Sequence, residues 1–234
     1  MFEATPDIRE QRYALHQLAP DGAYTLNGVL LTHGHMGHYT GLMHFGREAA
    51  GARDVPVYVM PRFKNYLSEN GPWSQLVALS NIKLMAIRDG ESQQLSPHIR
   101  VKPLLVPHRD EFTETVGFVI SGPNKKVLFI PDIDKWQLWD RDITAEIRSV
   151  DHALLDATFY ANGEIPGRDM SEIPHPFVTE SMALFRDLPA VEKQKIIFIH
   201  FNHTNPLIDA HSEAAQQVRA AGFQVAVRGM KLDL

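Results

Sequence analysis

Apolar and polar positions along the chain fall into short runs whose spacing predicts alternating helices and strands. Ile8, Leu15 and Leu18 recur at helical spacing behind Asp7, so a helix is expected over 7–18, stopped by Pro20–Asp21–Gly22. Its expected role is to cover one side of a sheet. An apolar run over 29–32 reads as a buried strand, and a helix is expected over 40–50, ending at Gly51. A strand over 55–60, helices over 61–70 and 73–79, and a strand over 82–87 follow, with Asn70–Gly71–Pro72 between the helices. The second half is richer in strands: 99–106, 115–121, 126–130, 153–155, 196–199 and 223–227. Gly122–Pro123–Asn124–Lys125 has the composition of a hairpin connection, and 177–188 and 211–221 have the period of amphipathic helices. Strands alternating with helices, plus a hairpin, predict sheets between helical layers.

Composition narrows this picture. At 234 residues and 44% hydrophobic, the chain has enough apolar material for one sizeable core. No internal repeat, low-complexity linker or shift in composition marks a second domain, so residues 1–234 are read as one domain. A net charge of −5 with no basic block disfavours nucleic acid and acidic membrane surfaces as partners. No run approaches a membrane span, and the first residues lack a signal-peptide pattern. With no cysteine there are no thiolate ligands, so any metal must be held by His, Asp, Glu or backbone. That fits a reducing compartment, and the cytoplasm is the expected location.

The chemistry begins where the strand over 29–32 breaks into His33–Gly34–His35–Met36–Gly37–His38. Small or flexible residues between the three histidines let their imidazoles turn toward one point, and neutral imidazole is the commonest ligand for zinc and similar ions. The other strands show the same habit. Runs ending near Val106, Ile130, Leu155 and Ile199 deliver His108, Asp132, Asp156 and His200 just beyond their C-terminal ends, where ligand sites of α/β sheets lie. Singly, His108 reads as a turn residue, Asp132 as a helix cap and His200 as a core histidine. Together with the turn they point to a His/Asp metal centre.

This order of residues resembles the metallo-β-lactamase fold superfamily, whose hallmark is His-x-His-x-Asp-His followed by a His, a metal-bridging Asp and a last His. Leu31–Thr32–His33–Gly34–His35–Met36–Gly37–His38–Tyr39–Thr40–Gly41–Leu42 and Ile199–His200–Phe201–Asn202–His203–Thr204–Asn205–Pro206 are similar to members related to the pyrroloquinoline-quinone biosynthesis protein B. The resemblance implies an α+β fold, an αββα sandwich of the metallo-β-lactamase type. It places His33, His35 and His108 in a first metal site, Asp132 as the bridging carboxylate, and His38 and His200 in a second site. About thirty residues precede the turn, where the family has one more sheet edge, so a fold shortened at the N-terminus is expected. Gly37 stands where the hallmark has an Asp. Two divalent cations about 3.5–4 Å apart need anionic ligands between and around them. The expectation is therefore one tight zinc and a second site that is weak or absent, or completed by water, Asp156 or His175; iron and manganese are the alternative metals.

A metal held by imidazoles lowers the pKa of bound water from 15.7 to roughly 7, which implies a hydrolase using metal-bound hydroxide on a small ester, lactone, amide or phosphodiester. Asp132, His175 and His203 are the candidate catalytic residues, the two histidines as proton donors to a leaving group. The plainer readings are a turn residue for His175 and a hydrogen bond to a ligand's second nitrogen for His203. Arg168, Arg109 and Lys135 are candidates for an anionic substrate group, an ordinary solvated cation being the plainer reading of each. Tyr39 either enters the cleft or begins the helix, and Trp73, Trp136 and Trp139 read as core or rim. The expected partners are a small-molecule substrate and, as a candidate, a second copy of the chain in a homodimer. The alternative functions are metal-centred oxidoreductase chemistry of the quinone-cofactor biosynthesis type and a non-catalytic metal-binding protein.

Overall fold

The structure, a computed structural model, describes residues 1–18 and 26–234. The stop expected at Pro20–Asp21–Gly22 lies outside the described residues. The chain divides into two compact units, Met1–Asp89 with Asp110–Thr115, and Gly90–Arg109 with Val116–Leu234.

The first unit is built on three parallel strands, β1 (Val29–Leu30), β2 (Val55–Val59) and β3 (Ile82–Ala86), in that order across the sheet. Val29 faces Val57 and Val57 faces Leu84 in register, and Phe2 forms an isolated parallel bridge to Leu30. Parallel neighbours require crossovers. Between β2 and β3 these are α3 (Pro61–Glu69) and α4 (Trp73–Ala78), within a residue of the pattern's expectation. Leu31, Leu42, Phe45, Val57, Val59, Phe63 and Leu67 fill the core. Two expectations fail here. The helix α1 (Ile8–Leu18) forms, but it buries only Ile8 and leaves Leu15 and Leu18 exposed, so it covers no sheet face along its length. The helix expected over 40–50 is instead α2 (Met36–Tyr39), a 3-10 stretch Thr40–Phe45 and a turn. Gly46 takes an extended conformation (ψ 166°) and Gly51 a left-handed one (φ +52°), which stops helix propagation.

The second unit carries seven strands in chain order across one sheet: β4 (Gln93–Ser96), β5 (Ile99–Leu105), β6 (Val116–Ser121), β7 (Lys126–Ile130), β8 (His152–Asp156), β9 (Ile196–Ile199) and β10 (Gln224–Val225). β4 to β7 pair antiparallel, closed by the expected hairpin over 122–125. β7 to β10 pair parallel. Their crossovers hold α5 (Ile143–Arg148), α6 (Val178–Leu184) with α7 (Ala190–Lys193), and α8 (Glu213–Ala220). The polar strand β4 and the four-residue helix α7 carry no apolar period and escape the pattern, as does α5, whose apolar signal is the single pair Ile143 and Ile147. α6 stops four residues before the expected end and β10 is two residues long. Phe118, Phe185 and Phe198 are fully buried, each contributing roughly 1.5–3 kcal/mol. Trp136 and Trp139 belong to the core, their indole N–H groups donating to Ser181 Oγ at 2.9 Å and Leu105 O at 2.7 Å.

This topology positions chemistry. β5, β7, β8 and β9 run in one direction, so their C-terminal ends lie at one end of the sheet. Adjacent strands are about 4.8 Å apart, which puts side chains at the ends of β7, β8 and β9 within ligand reach, with the end of β5 one strand further off, beyond β6. Among the described residues no helix is long and apolar enough to cross a membrane.

Candidate functional site

In the first unit, β1 ends at Leu30 and the chain turns through Thr32 to Gly34 into α2. The three imidazoles converge as the spacing expects. His33 Nε2 lies 2.8 Å from His35 Nδ1, and the His33 ring centroid is 4.4 Å from that of His35 and 4.2 Å from that of His38. His33 Nδ1 bonds the Thr32 hydroxyl at 2.9 Å, His35 Nε2 bonds Glu111 at 3.2 Å, and His38 Nδ1 bonds Glu3. The Gly34 N–H donates to Thr113 Oγ1 at 2.8 Å, and a Cβ on Gly34 would lie 2.7 Å from Thr113 Cγ2, so the turn admits only glycine without a shift there.

In the second unit, the strand ends assemble an acidic cluster. Asp156 is fully buried. Its Oδ1 accepts from the Thr158 N–H at 2.8 Å and hydroxyl at 2.7 Å, and its Oδ2 accepts from the Ile133 N–H at 3.0 Å and binds His175 Nδ1 at 2.8 Å. Asp132 Oδ1 lies 3.4 Å from both His175 Nδ1 and His200 Nδ1. His108 Nδ1 bonds Asp134 at 3.0 Å, and His200 Nδ1 lies 3.0 Å from the Thr158 hydroxyl. Burial works to lower the pKa of His175, but Asp156 first, then Asp132 and Asp134, outweigh it and raise the pKa above the ordinary imidazole value. His200 holds φ at +62°, a left-handed conformation that costs a non-glycine residue on the order of 1–2 kcal/mol. Strain of this kind concentrates at functional sites.

The donor chemistry of both clusters fits a divalent ion. Asp132, Asp156 and His175 each offer a ligand atom, all within 4.8 Å of one another. The nitrogens matter more. His33, His38, His108 and His200 each have Nδ1 engaged by a neighbouring hydroxyl or carboxylate, which directs Nε2 away from that partner. Metal-binding histidines are held this way, the hydrogen bond fixing tautomer and ring orientation.

The other candidates divide. His175 is anchored in the cluster, on a loop steadied by its own small core of Phe159, Met170, Ile173 and Phe177. His203 is exposed in the turn after β9 and is not part of the Asp132–Asp156–His175 group. Tyr39 is buried, its hydroxyl 2.9 Å from that of Tyr66; burial and this neighbour raise its pKa. Lys135 pairs with Glu180 at 2.6 Å and lies 4.0 Å from the Phe177 ring centroid. Arg168 and Arg109 are exposed. The sequence reading missed the supporting residues Glu3, Asp134 and Thr158. Asp134, two residues after Asp132, and Thr158, two after Asp156, carried a weak signal in that spacing. Glu3 carried none.

A model of the β-lactamase superfamily domain matches residues 1–201. Coenzyme PQQ synthesis protein B of Methylorubrum extorquens (strain PA1) is 28% identical over 258 residues, an alignment that covers all of this chain and 83% of that protein. The crystal structure of Zn(2+)-bound PqqB from Methylobacterium extorquens superposes with a TM-score of 0.80 at 26% identity, over all of this chain and 82% of that one. A new diphosphatase from the PhnP family superposes with a TM-score of 0.65 at 22% identity, over all of this chain and 79% of its own, a likeness of fold. With the family model spanning most of its length and the histidine turn in place, the chain belongs to the metallo-β-lactamase superfamily and carries its α+β fold.

Proposed function

We propose that the protein is a metal-dependent hydrolase of a small ester, lactone, amide or phosphodiester, with zinc as its metal. In this reading His33, His35, His108 and Asp132 hold the first ion, and Asp132, His38 and His200 form the second site. The observation that carries it is the orientation of the rings: four of the five ligand histidines have Nδ1 tied to Thr32, Glu3, Asp134 or Thr158. Such ties are the ordinary support of metal-binding imidazoles, and here they recur on four rings drawn from the histidine turn and two strand ends. The likeness to Zn(2+)-bound PqqB, at 26% identity over the whole chain, supports the choice of metal.

A bound divalent ion would supply Lewis acidity and bring the pKa of a coordinated water from 15.7 to about 7. The chain's own residues do the rest. Asp132 contributes negative charge between the two sites. His175, held through Nδ1 by Asp156, keeps Nε2 as the proton donor to the leaving group. Asp156, with every hydrogen bond satisfied, fixes that ring and stays out of the reaction. His203 serves as a second proton donor at the exposed rim.

The test is elemental analysis of protein purified without added metal, followed by assays on nitrophenyl esters, lactones, amides and phosphodiesters. Zinc at one equivalent or more, with turnover of one class that His175→Gln reduces by at least a hundredfold, is expected from the 10²–10⁴-fold range of general acid catalysis. Protein without metal, or metal-loaded protein inert on all four classes, overturns the reading. A second reading, metal-centred redox chemistry in quinone-cofactor synthesis, draws on the name of the 28% identical relative, since His/Asp donors also suit iron. Iron in the purified protein, with oxygen uptake, would put that reading first.

A further inference from the structure

The histidine turn contains an acidic side chain that the family hallmark does not include. Glu3 is buried beside it, and the backbone holds it there. The Glu3 N–H donates to Leu30 O at 2.9 Å, the Ala4 N–H to His38 O at 2.8 Å, and the Gly41 N–H to Ala4 O at 2.8 Å. Glu3 itself sits at φ +66°, a left-handed conformation that side-chain-bearing residues rarely adopt. A Cβ on Gly41 would lie 2.2 Å from Thr5 O, so a glycine at 41 is what lets residues 3–5 lie against the turn. Both carboxylate oxygens are committed inside it. Oε1 accepts the Thr32 N–H at 2.9 Å, and Oε2 bonds His38 Nδ1.

We propose that Glu3 is a positioning residue for the metal centre: it locks His38 in the tautomer that presents Nε2 for coordination, and its charge, delivered through that ring, replaces the carboxylate that Gly37 withholds from the second site. The proposal rests on the metal-centre reading above. A carboxylate oxygen placed on Nδ1 favours the proton at that nitrogen, which makes Nε2 the atom through which a neutral His38 would coordinate. A carboxylate behind an imidazole also makes the ring a stronger donor to a metal. Gly37, where the hallmark's Asp would stand, faces open space at its Cβ position, so nothing in the turn itself supplies a charge there.

Glu3→Gln separates this role from a structural one. The amide oxygen can still accept from Thr32 N–H, while the amide nitrogen now donates to His38 Nδ1. Shape and hydrogen-bond count survive, but the proton moves to Nε2, where it blocks coordination. Two measurements decide the matter. Long-range ¹⁵N NMR of the metal-free wild-type chain is expected to show His38 as the Nδ1–H tautomer, and of Glu3→Gln as the Nε2–H tautomer. Zinc titration is expected to show the second equivalent weakened ten- to a hundredfold by Glu3→Gln, with the first equivalent and the melting temperature of the metal-free chain unchanged. The titration is repeated in a Gly37→Asp background, where the added carboxylate gives the second equivalent measurable affinity. An Nε2–H tautomer in the wild type, or an unweakened second equivalent in Glu3→Gln, overturns the proposal. If Glu3→Gln does not fold, the wild-type tautomer decides alone. A wild-type chain that takes up no zinc at all overturns the metal-centre reading instead, and the tautomer still reports whether Glu3 sets His38.

Discussion

The histidine turn and the acidic cluster reach similar chemistry by opposite routes. The turn gathers three imidazoles from six consecutive residues at a strand end and a four-residue helix, braced by Thr113 and by residues 3–5. The cluster gathers His108, Asp132, Asp156, His175 and His200 from the ends of four strands and one loop, and sheet register brings them together. The turn therefore depends on close local packing, while the cluster depends on the fold of a whole unit. A substitution in the cluster should cost stability and site together; one in the turn should cost the site first.

Asp156→Ala should show the largest effect. It leaves His175, Ile133 N–H, Thr158 N–H and the Thr158 hydroxyl without their acceptor in a fully buried place, for a loss of about 3–5 kcal/mol by urea unfolding. A loss below about 1 kcal/mol, the net worth of one ordinary hydrogen bond, would break the contrast between the regions. Metal withdrawal comes next. An ion held at a hundred times its dissociation constant stabilises by about 2.7 kcal/mol, so a chelator should lower the melting temperature correspondingly. Hydrogen exchange sharpens the comparison: faster exchange over both 29–41 and 127–156 is expected, and a response in only one segment would assign the ion to one cluster alone. Gly41→Ala should cost about 1–3 kcal/mol by the clash with Thr5 O, and should loosen the turn without altering exchange at Asp156. The smallest effect is expected of Thr158→Val, about 1 kcal/mol, because the hydroxyl's bonds to Asp156 and to the part-exposed His200 are lost while the Thr158 N–H still reaches Asp156. Equal losses at Thr158 and Asp156 would mean that the hydroxyl, rather than the carboxylate, organises the cluster.

The same contrast explains what could be read in advance. Strands with apolar runs, such as 126–130 and 196–199, were legible because burial on both faces leaves a continuous hydrophobic signature. The strand Gln93–Ser96 was not, since hydrogen bonding to β5 alone makes a polar edge a strand. Over 40–50 the apolar period outlasts the backbone's ability to continue as a helix through Gly46. In the site, His33, His35 and His38 announced themselves by spacing, and His108, Asp132, Asp156 and His200 by their places after apolar runs. Asp134 and Thr158 leave only a weak local mark, because a side chain two residues past a ligand faces an imidazole only once the strand end is built.

The sequence by itself determined the strands with apolar runs, the local histidine turn and the superfamily, since each is written in near-neighbour spacing of residue types. Tertiary structure alone decided which carboxylate stands behind which imidazole. Glu3 reaches His38 across thirty-five positions, and Asp156 reaches His175 across nineteen. Such pairs depend on register and on the backbone's turn at a few strained residues, and no local pattern of side chains encodes the distance between two points that folding brings together.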